Sequence, residues 1–255
     1  MHSNSNPVTI SSLVNSEMPP IITRFAVAPD GFLHLGHALA ARFAYVAAKN
    51  CEGSFGLRMD DVDSARVKPE YRDAILEDLT WLGLVWEEPV FQQSDHVQDY
   101  QVALEKLDAM SLIRRIDGAF GQRLILDEQA ASALVGPLTF EEWNDGIVEV
   151  QPALVGQVEL SSGRMPFSPH LTEVVDDALQ GVTLVTRTED QKPNLHLHRL
   201  LQAVLEFPET AWHHHRIIAD ESGQPLTKRS NAPTLRSLRK DGWTAERVWE
   251  ELLTR

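Results

Sequence analysis

Two histidines, His34 and His37, are separated by Leu35 and Gly36 where the run "RFAVAPDGF" gives way to an alanine-rich stretch. Read as strand, Gly-containing turn and helix, this segment sets the first N–H groups of a helix at a strand end. Such a helix N-terminus carries partial positive charge and attracts anions. Two imidazoles placed there can donate hydrogen bonds to phosphate oxygens and to charge developing on a phosphorus under attack. Two structural histidines packing a turn would show the same spacing, and a zinc pair would need a third ligand that is not close in sequence. A second cationic feature is "PLTKRSN", Pro225 to Asn231, where Lys228 and Arg229 lie in a polar loop between Gly223 and Pro233. A mobile loop with paired cations can close over a triphosphate, although the same residues also suit a solvated basic loop.

The elements that would position these residues read as a nucleotide-binding α/β unit. "IITRFAVAP" is a strand ending in a Pro-Asp-Gly turn. "HLGHALAARFAYVAAKN" follows as a helix, with Leu35, Leu39, Phe43 and Val46 at helical spacing. "GSFGLRMDDVD" is a second strand ending in acid, which completes a β-α-β unit. The predicted fold is therefore α/β, a Rossmann-like doubly wound parallel sheet with an inserted subdomain and a short helical C-terminal region. Helices are expected in "KPEYRDAILEDLTWLGLVW", "HVQDYQVALEKLDAMSLI", "LHLHRLLQAVLEF" and "WTAERVWEELL", the last with Thr244 as N-cap, and "VTLVTR" is a buried strand after a Gly181 turn. These divide the chain into a flexible leader (1–20), a first half of the α/β domain (21–113), an inserted subdomain (114–157), a second half (158–215), and the cationic loop with the C-terminal helical region (216–255).

Composition bounds the function classes. The 255 residues are 43% hydrophobic, enough for a full core, and the net charge of −14 argues against a basic nucleic-acid coat protein. Cations such as Arg216, Arg236, Arg239 and Lys240 cluster modestly near the C-terminus, so a local basic face on an acidic body stays open. The single cysteine, Cys51, excludes a disulfide within the chain and a cysteine-based zinc site. No apolar run reaches the ~20 residues of a membrane span, and the leader lacks a secretion signal, which predicts a cytoplasmic protein without membrane contact. "HHHR", His213 to Arg216, reads as a structural cluster; "HLHR", His196 to Arg199, reads as a helix face with room for a pocket role near Arg187. Trp81 and Trp86 are expected to pack the core.

Taken together, the motifs resemble the class I aminoacyl-tRNA synthetases. "GFLHLGHA" is similar to their HIGH signature, and "LTKRS" to the glutamyl form of the KMSKS loop. "RFAVAPDG", "LRMDDVD" and "VVDDALQGVTLVTR" resemble the glutamyl-branch stretches RFAPSPTG, LRIEDID and VVDDALMGVTHVVRG, in the same order. The ending "APTLRSLRKDGWTAERVWEEL" is similar to that of the truncated glutamyl-queuosine tRNA(Asp) synthetases, which activate glutamate with ATP and attach it to queuosine in tRNA(Asp).

The resemblance implies a monomeric ligase using ATP with Mg2+, an amino acid (glutamate or a related acid) and tRNA(Asp). It implies that His34, Gly36, His37, Lys228 and Arg229 bind ATP, with His34, His37 and Lys228 catalytic. Arg24 would take the substrate side-chain carboxylate, Arg187 would supply a second cation, and Asp60 would hold the ammonium. Three positions implied to contact the amino acid depart from the pattern: Ala28 replaces a serine, Asp60 a glutamate and Pro169 a tyrosine. The zinc cysteines of many relatives are missing from "SLIRRIDGAFGQRLILD", so no metal site is expected. These departures keep open a repurposed adenylating ligase acting on another carboxylate and a non-tRNA acceptor. A weaker alternative is an inactive nucleotide-binding paralogue.

Overall fold

The fold is described from a computed structural model, for residues 20–63, 65–154, 156–218 and 233–254. Its first layer is a parallel sheet of β1 (Ile22–Val27), β2 (Ser54–Met59) and β3 (Glu87–Gln92). The near-continuous burial of β1 and β2 is what a sheet covered on both faces requires. The crossovers contain α1 (Leu35–Asn50) and α2 (Pro69–Trp81). Next come α3 (Val97–Ala109), the antiparallel hairpin β4 (Ile113–Gly118) and β5 (Gly121–Leu126), and α4 (Glu128–Val135).

A second sheet has the order β7-β6-β10-β9. It holds the hairpin of β6 (Thr139–Glu142) and β7 (Gly146–Glu149), together with parallel strands β9 (Leu184–Thr188) and β10 (Ala211–His215). Strand pairing runs across the 157/158 boundary expected from sequence. Within the 114–157 segment, β6 pairs with β10 through Glu142 and Trp212. Beyond it, β8 (Glu159–Ser161) pairs with β5. The remaining helices are α5 (Pro169–Leu179), α6 (Asn194–Leu205), α7 (Leu235–Lys240) and α8 (Ala245–Thr254). The Thr244 hydroxyl caps α8, accepting from the Arg247 N–H at 3.3 Å.

The two sheets meet at β1 and β9. The Thr183 N–H donates to the Ile22 carbonyl at 3.0 Å, and the Thr183 hydroxyl accepts from the Ile22 N–H at 2.8 Å. Farther along the strands, a cavity lies between Arg24–Ala26 and Thr186–Thr188. In doubly wound folds, ligands bind beyond the strand ends at this kind of junction.

The buried face of α1 differs from the one its larger residues suggest. Ala38, Ala41, Ala44 and Ala48 are fully buried, whereas Val46 is 39% exposed. Phe43 packs instead on the rings of His213 and His215, at 4.5 and 4.9 Å. Alanine brings the helix close enough for the Thr23 hydroxyl of β1 to donate to the Ala44 carbonyl at 2.9 Å. Close packing of this kind leaves no room for added methylenes. Ala44→Leu is therefore expected to destabilise the protein by about 1–3 kcal/mol, read as a lower urea midpoint with the slope unchanged.

Candidate active site

The turn into α1 is built by its two histidines. His34 is the N-cap, with extended backbone at φ −129°, and its Nδ1 accepts from the Gly36 N–H at 3.1 Å. His37 closes the reciprocal contact, its Nδ1 accepting from the His34 N–H at 3.2 Å. A ring nitrogen that accepts a backbone N–H carries no proton, so the neutral tautomer of each histidine has its proton on Nε2. The pair thus presents N–H groups at a helix N-terminus whose first turn holds no acidic residue. A Cβ at Gly36 would lie 2.9 Å from His34 Cε1, so a larger residue there would displace the His34 ring from its capping position.

Chain segments distant in sequence are fixed beside this turn. His34 forms an isolated bridge with Thr234, and the Leu235 N–H donates to the Leu33 carbonyl at 2.7 Å. Ile218 packs in the same apolar cluster as Leu33 and Leu35. Lys228 and Arg229 lie outside the described residues.

The cavity between β1 and β9 has a volume of about 250 Å3 and is lined by Arg24, Asp60, Glu173 and Arg187, among others. Arg24 and Asp60 of this lining belong to a buried charge network centred on Asp177. Asp177 Oδ1 accepts from Arg24 Nε at 2.7 Å and from Arg58 Nη1 at 2.7 Å, while Oδ2 accepts from Arg24 Nη2 at 3.2 Å. Burial alone would raise the Asp177 pKa, but the two guanidinium groups outweigh it and hold the carboxyl far below the usual range. Arg58 also reaches Asp60 at 3.0 Å and Gln180 at 3.2 Å. Behind it, Asp176 accepts from Tyr100 and Gln93, each at 2.6 Å, and burial pushes its pKa up to about 6. Asp60 is a quarter exposed, and burial raises its pKa against the pull of Arg58.

Arg187 is paired as well, donating through Nη2 to Glu173 Oε2 at 2.7 Å. Burial works to raise the Glu173 pKa, but Arg187 and then His198 bring it down to about 2. Each arginine at the cavity wall therefore already faces a carboxylate, Arg24 by Asp177 and Arg187 by Glu173.

Of the residues named from sequence, Arg24, Asp60 and Arg187 come together in this cavity. Ala28 lies beyond the end of β1, outside the cavity lining. Pro169 opens α5 and lines a neighbouring cavity of about 400 Å3 together with His170. Neither Asp177 nor Glu173 was singled out from the sequence, although Asp177 belongs to the quoted "VVDDAL". Three other histidines make structural contacts. His214 pairs with Glu142 at 3.0 Å, the His215 ring meets the Arg216 carbonyl at 3.0 Å, and His196 accepts from the Gln151 N–H at 3.1 Å.

Removing the Asp177 charge leaves two buried guanidinium groups short of a counter-ion. Asp177→Asn is expected to cost about 3–5 kcal/mol. The depressed carboxyls of Asp177 and Glu173 contribute stability that is present above their unfolded pKa of about 4 and lost as pH falls through their folded values. Urea unfolding between about pH 5 and pH 2 is expected to show this acid loss in the wild type and a shallower one in Asp177→Asn.

The sequence matches the model of the family described as tRNA synthetases class I (E and Q), catalytic domain, over residues 20–111 and 133–254. The unmatched residues 112–132 comprise the β4–β5 hairpin and the start of α4. The chain is 37% identical to the glutamyl-Q tRNA(Asp) synthetase of Rhodobacter capsulatus, across 87% of this chain and 96% of that one. It is 33% identical to glutamate–tRNA ligase 1 of Ruegeria pomeroyi across 86% of this chain but only 57% of that relative. The chain thus spans little more than half the length of that ligase. Its fold is similar to that of a glutamate-tRNA synthetase from Elizabethkingia anophelis, with a TM-score of 0.67 and 20% identity over 88% of this chain and 54% of that one. The histidine-capped turn and the arginine-lined cavity therefore belong to a catalytic domain, and this chain is a ligase of the class I tRNA synthetase (E and Q) family.

Proposed function

We propose that this chain activates glutamate with ATP and transfers it to queuosine of tRNA(Asp), as a cytoplasmic monomer. The observation that carries this reading is a histidine-capped helix that follows β1 and contributes Ala40 to the arginine-lined cavity between β1 and β9. One feature suits phosphate and the other suits a small acid, so a carboxylate and an α-phosphorus could meet between them. Magnesium would enter with ATP and offset part of the triphosphate charge.

In the first step a carboxylate oxygen of the amino acid bonds to the α-phosphorus, the α–β anhydride bond breaks, and pyrophosphate leaves with its electron pair. The Nε2–H groups of His34 and His37 and the α1 N-terminus would stabilise the phosphate charge, and Lys228 the charge building at the α-phosphate. Arg24 and Arg187 would orient the side chain, and Asp60 the ammonium. In the second step an acceptor nucleophile attacks the acyl carbon and AMP departs.

A second reading rests on the Arg187–Glu173 pair. With both wall arginines already facing carboxylates, the cavity also suits an acid whose side chain carries no charge, as in a repurposed adenylating ligase.

Labelled glutamate, ATP and tRNA(Asp) with and without queuosine separate the two readings. Label is expected on the queuosine-bearing tRNA alone; exchange of pyrophosphate with a different acid only, and no label on either tRNA, would favour the second. In either case Lys228→Ala is expected to lower the rate of pyrophosphate exchange by roughly 10²-fold or more while leaving the urea midpoint unchanged. An unaltered rate would remove Lys228 from the site.

A further inference from the structure

Three metal-ligating side chains converge beside the cavity. His170 and Glu173 stand three residues apart on α5 and so share a helix face, and α6, packed against α5, brings up His198. Their donor atoms all lie within 4.8 Å of one another. His170 Nδ1 is 3.0 Å from His198 Nε2, and His198 Nε2 is 3.6 Å from Glu173 Oε2. A tetrahedral zinc site with bonds of about 2.0–2.1 Å separates neighbouring donors by about 3.3 Å, and the two measured separations bracket that value.

A hydrogen-bonded imidazole pair explains this cluster only in part. The His198 side chain is 1% exposed, and its Nδ1 has no partner among the described residues. The ring's other nitrogen, Nε2, is the one that faces both His170 Nδ1 and Glu173 Oε2; the unpaired Nδ1 costs about 1–3 kcal/mol with or without an ion.

We propose that His170, Glu173 and His198 bind one divalent first-row transition ion, with Zn2+ the best match. Two imidazoles and one carboxylate form a recurring three-ligand zinc set that leaves a fourth position open. His170 would bind through Nδ1, His198 through Nε2 and Glu173 through its carboxylate. Arg187 would remain hydrogen-bonded to that carboxylate as an outer partner, as ligating carboxylates commonly are. Its positive charge weakens the site, and it also gives the site a consequence. An ion held by Glu173 adds positive charge to the cavity wall and favours entry of a substrate carboxylate. That consequence rests on the glutamate reading, whereas retention of the ion does not.

The test uses the full chain without an affinity tag, stripped with chelator and dialysed against Zn2+ or Co2+. Metal content is read by mass spectrometry and the cobalt site by its visible absorption. One ion per chain is expected, with the intense bands of a low-coordinate cobalt centre. Both His198→Gln and His170→Ala are expected to weaken retention by more than about 100-fold, beyond the effect of losing an outer partner. Circular dichroism verifies that each variant is folded, and His170, being partly exposed, is the variant less prone to misfold. His96→Gln, which alters a histidine stacked on Phe91 away from the cluster, is expected to retain the ion. Metal content no higher than buffer background, or equal in wild type, His170→Ala and His198→Gln, overturns the proposal. Retention of the ion without glutamate exchange upholds the site and removes only its consequence for glutamate.

Discussion

Two arginine side chains buried side by side repel each other and lose their hydration, so they can stand beneath a cavity only if a carboxylate is held between them. Asp177 is that carboxylate, contacting Arg24 and Arg58 at 2.7 Å each. The contact ties β1 and β2 of one sheet to α5, the helix that leads into β9 of the other. Removal of one partner from such a cluster is far more costly than the cluster is stabilising, because the remaining charge has no access to water. The network therefore fixes where the sheets meet, and with that the position of the cavity.

The histidine turn is a separate device on the same frame. Its geometry comes from reciprocal side-chain to backbone hydrogen bonds, which need acceptors at the N-cap and at the third helical residue, and the absence of a Cβ on Gly36 leaves room for the His34 ring. Backbone bonding thus sets the tautomer, and the tautomer sets which nitrogen of each ring can donate to an anion. The alanine face of α1 holds this turn against the strands, so packing, capping and proton placement depend on one another within a single helix.

Much of this was legible from local patterns. The Pro-Asp-Gly turn, the Gly36 spacing and the acidic end of β2 make the β-α-β unit readable, and Arg24, Asp60 and Arg187, which the motifs single out, line one cavity. The alanine face of α1 was not, because apolar periodicity favours large residues, while burial here follows the closeness of helix to sheet. Glu173 and Asp177 lie on an amphipathic helix, where an acidic residue ordinarily reads as a solvated face; only tertiary packing turns them inward against arginines. His170 and His198 are 28 residues apart, so no spacing rule links them, and their meeting follows from the packing of α5 on α6. Pro169 illustrates the opposite case, a position carried over by resemblance that the fold places at a different cavity.

The central claim is that one sheet junction receives both the phosphate and the amino acid. A crystal structure with a non-hydrolysable glutamyl-adenylate mimic, its phosphate replaced by a sulfamoyl group, tests this most directly. The sulfamoyl group is expected within hydrogen-bond reach of the His34 and His37 Nε2 atoms, and the side-chain carboxylate against Arg24 or Arg187. A mimic bound with these ends reversed, or bound away from the β1–β9 junction, would contradict it.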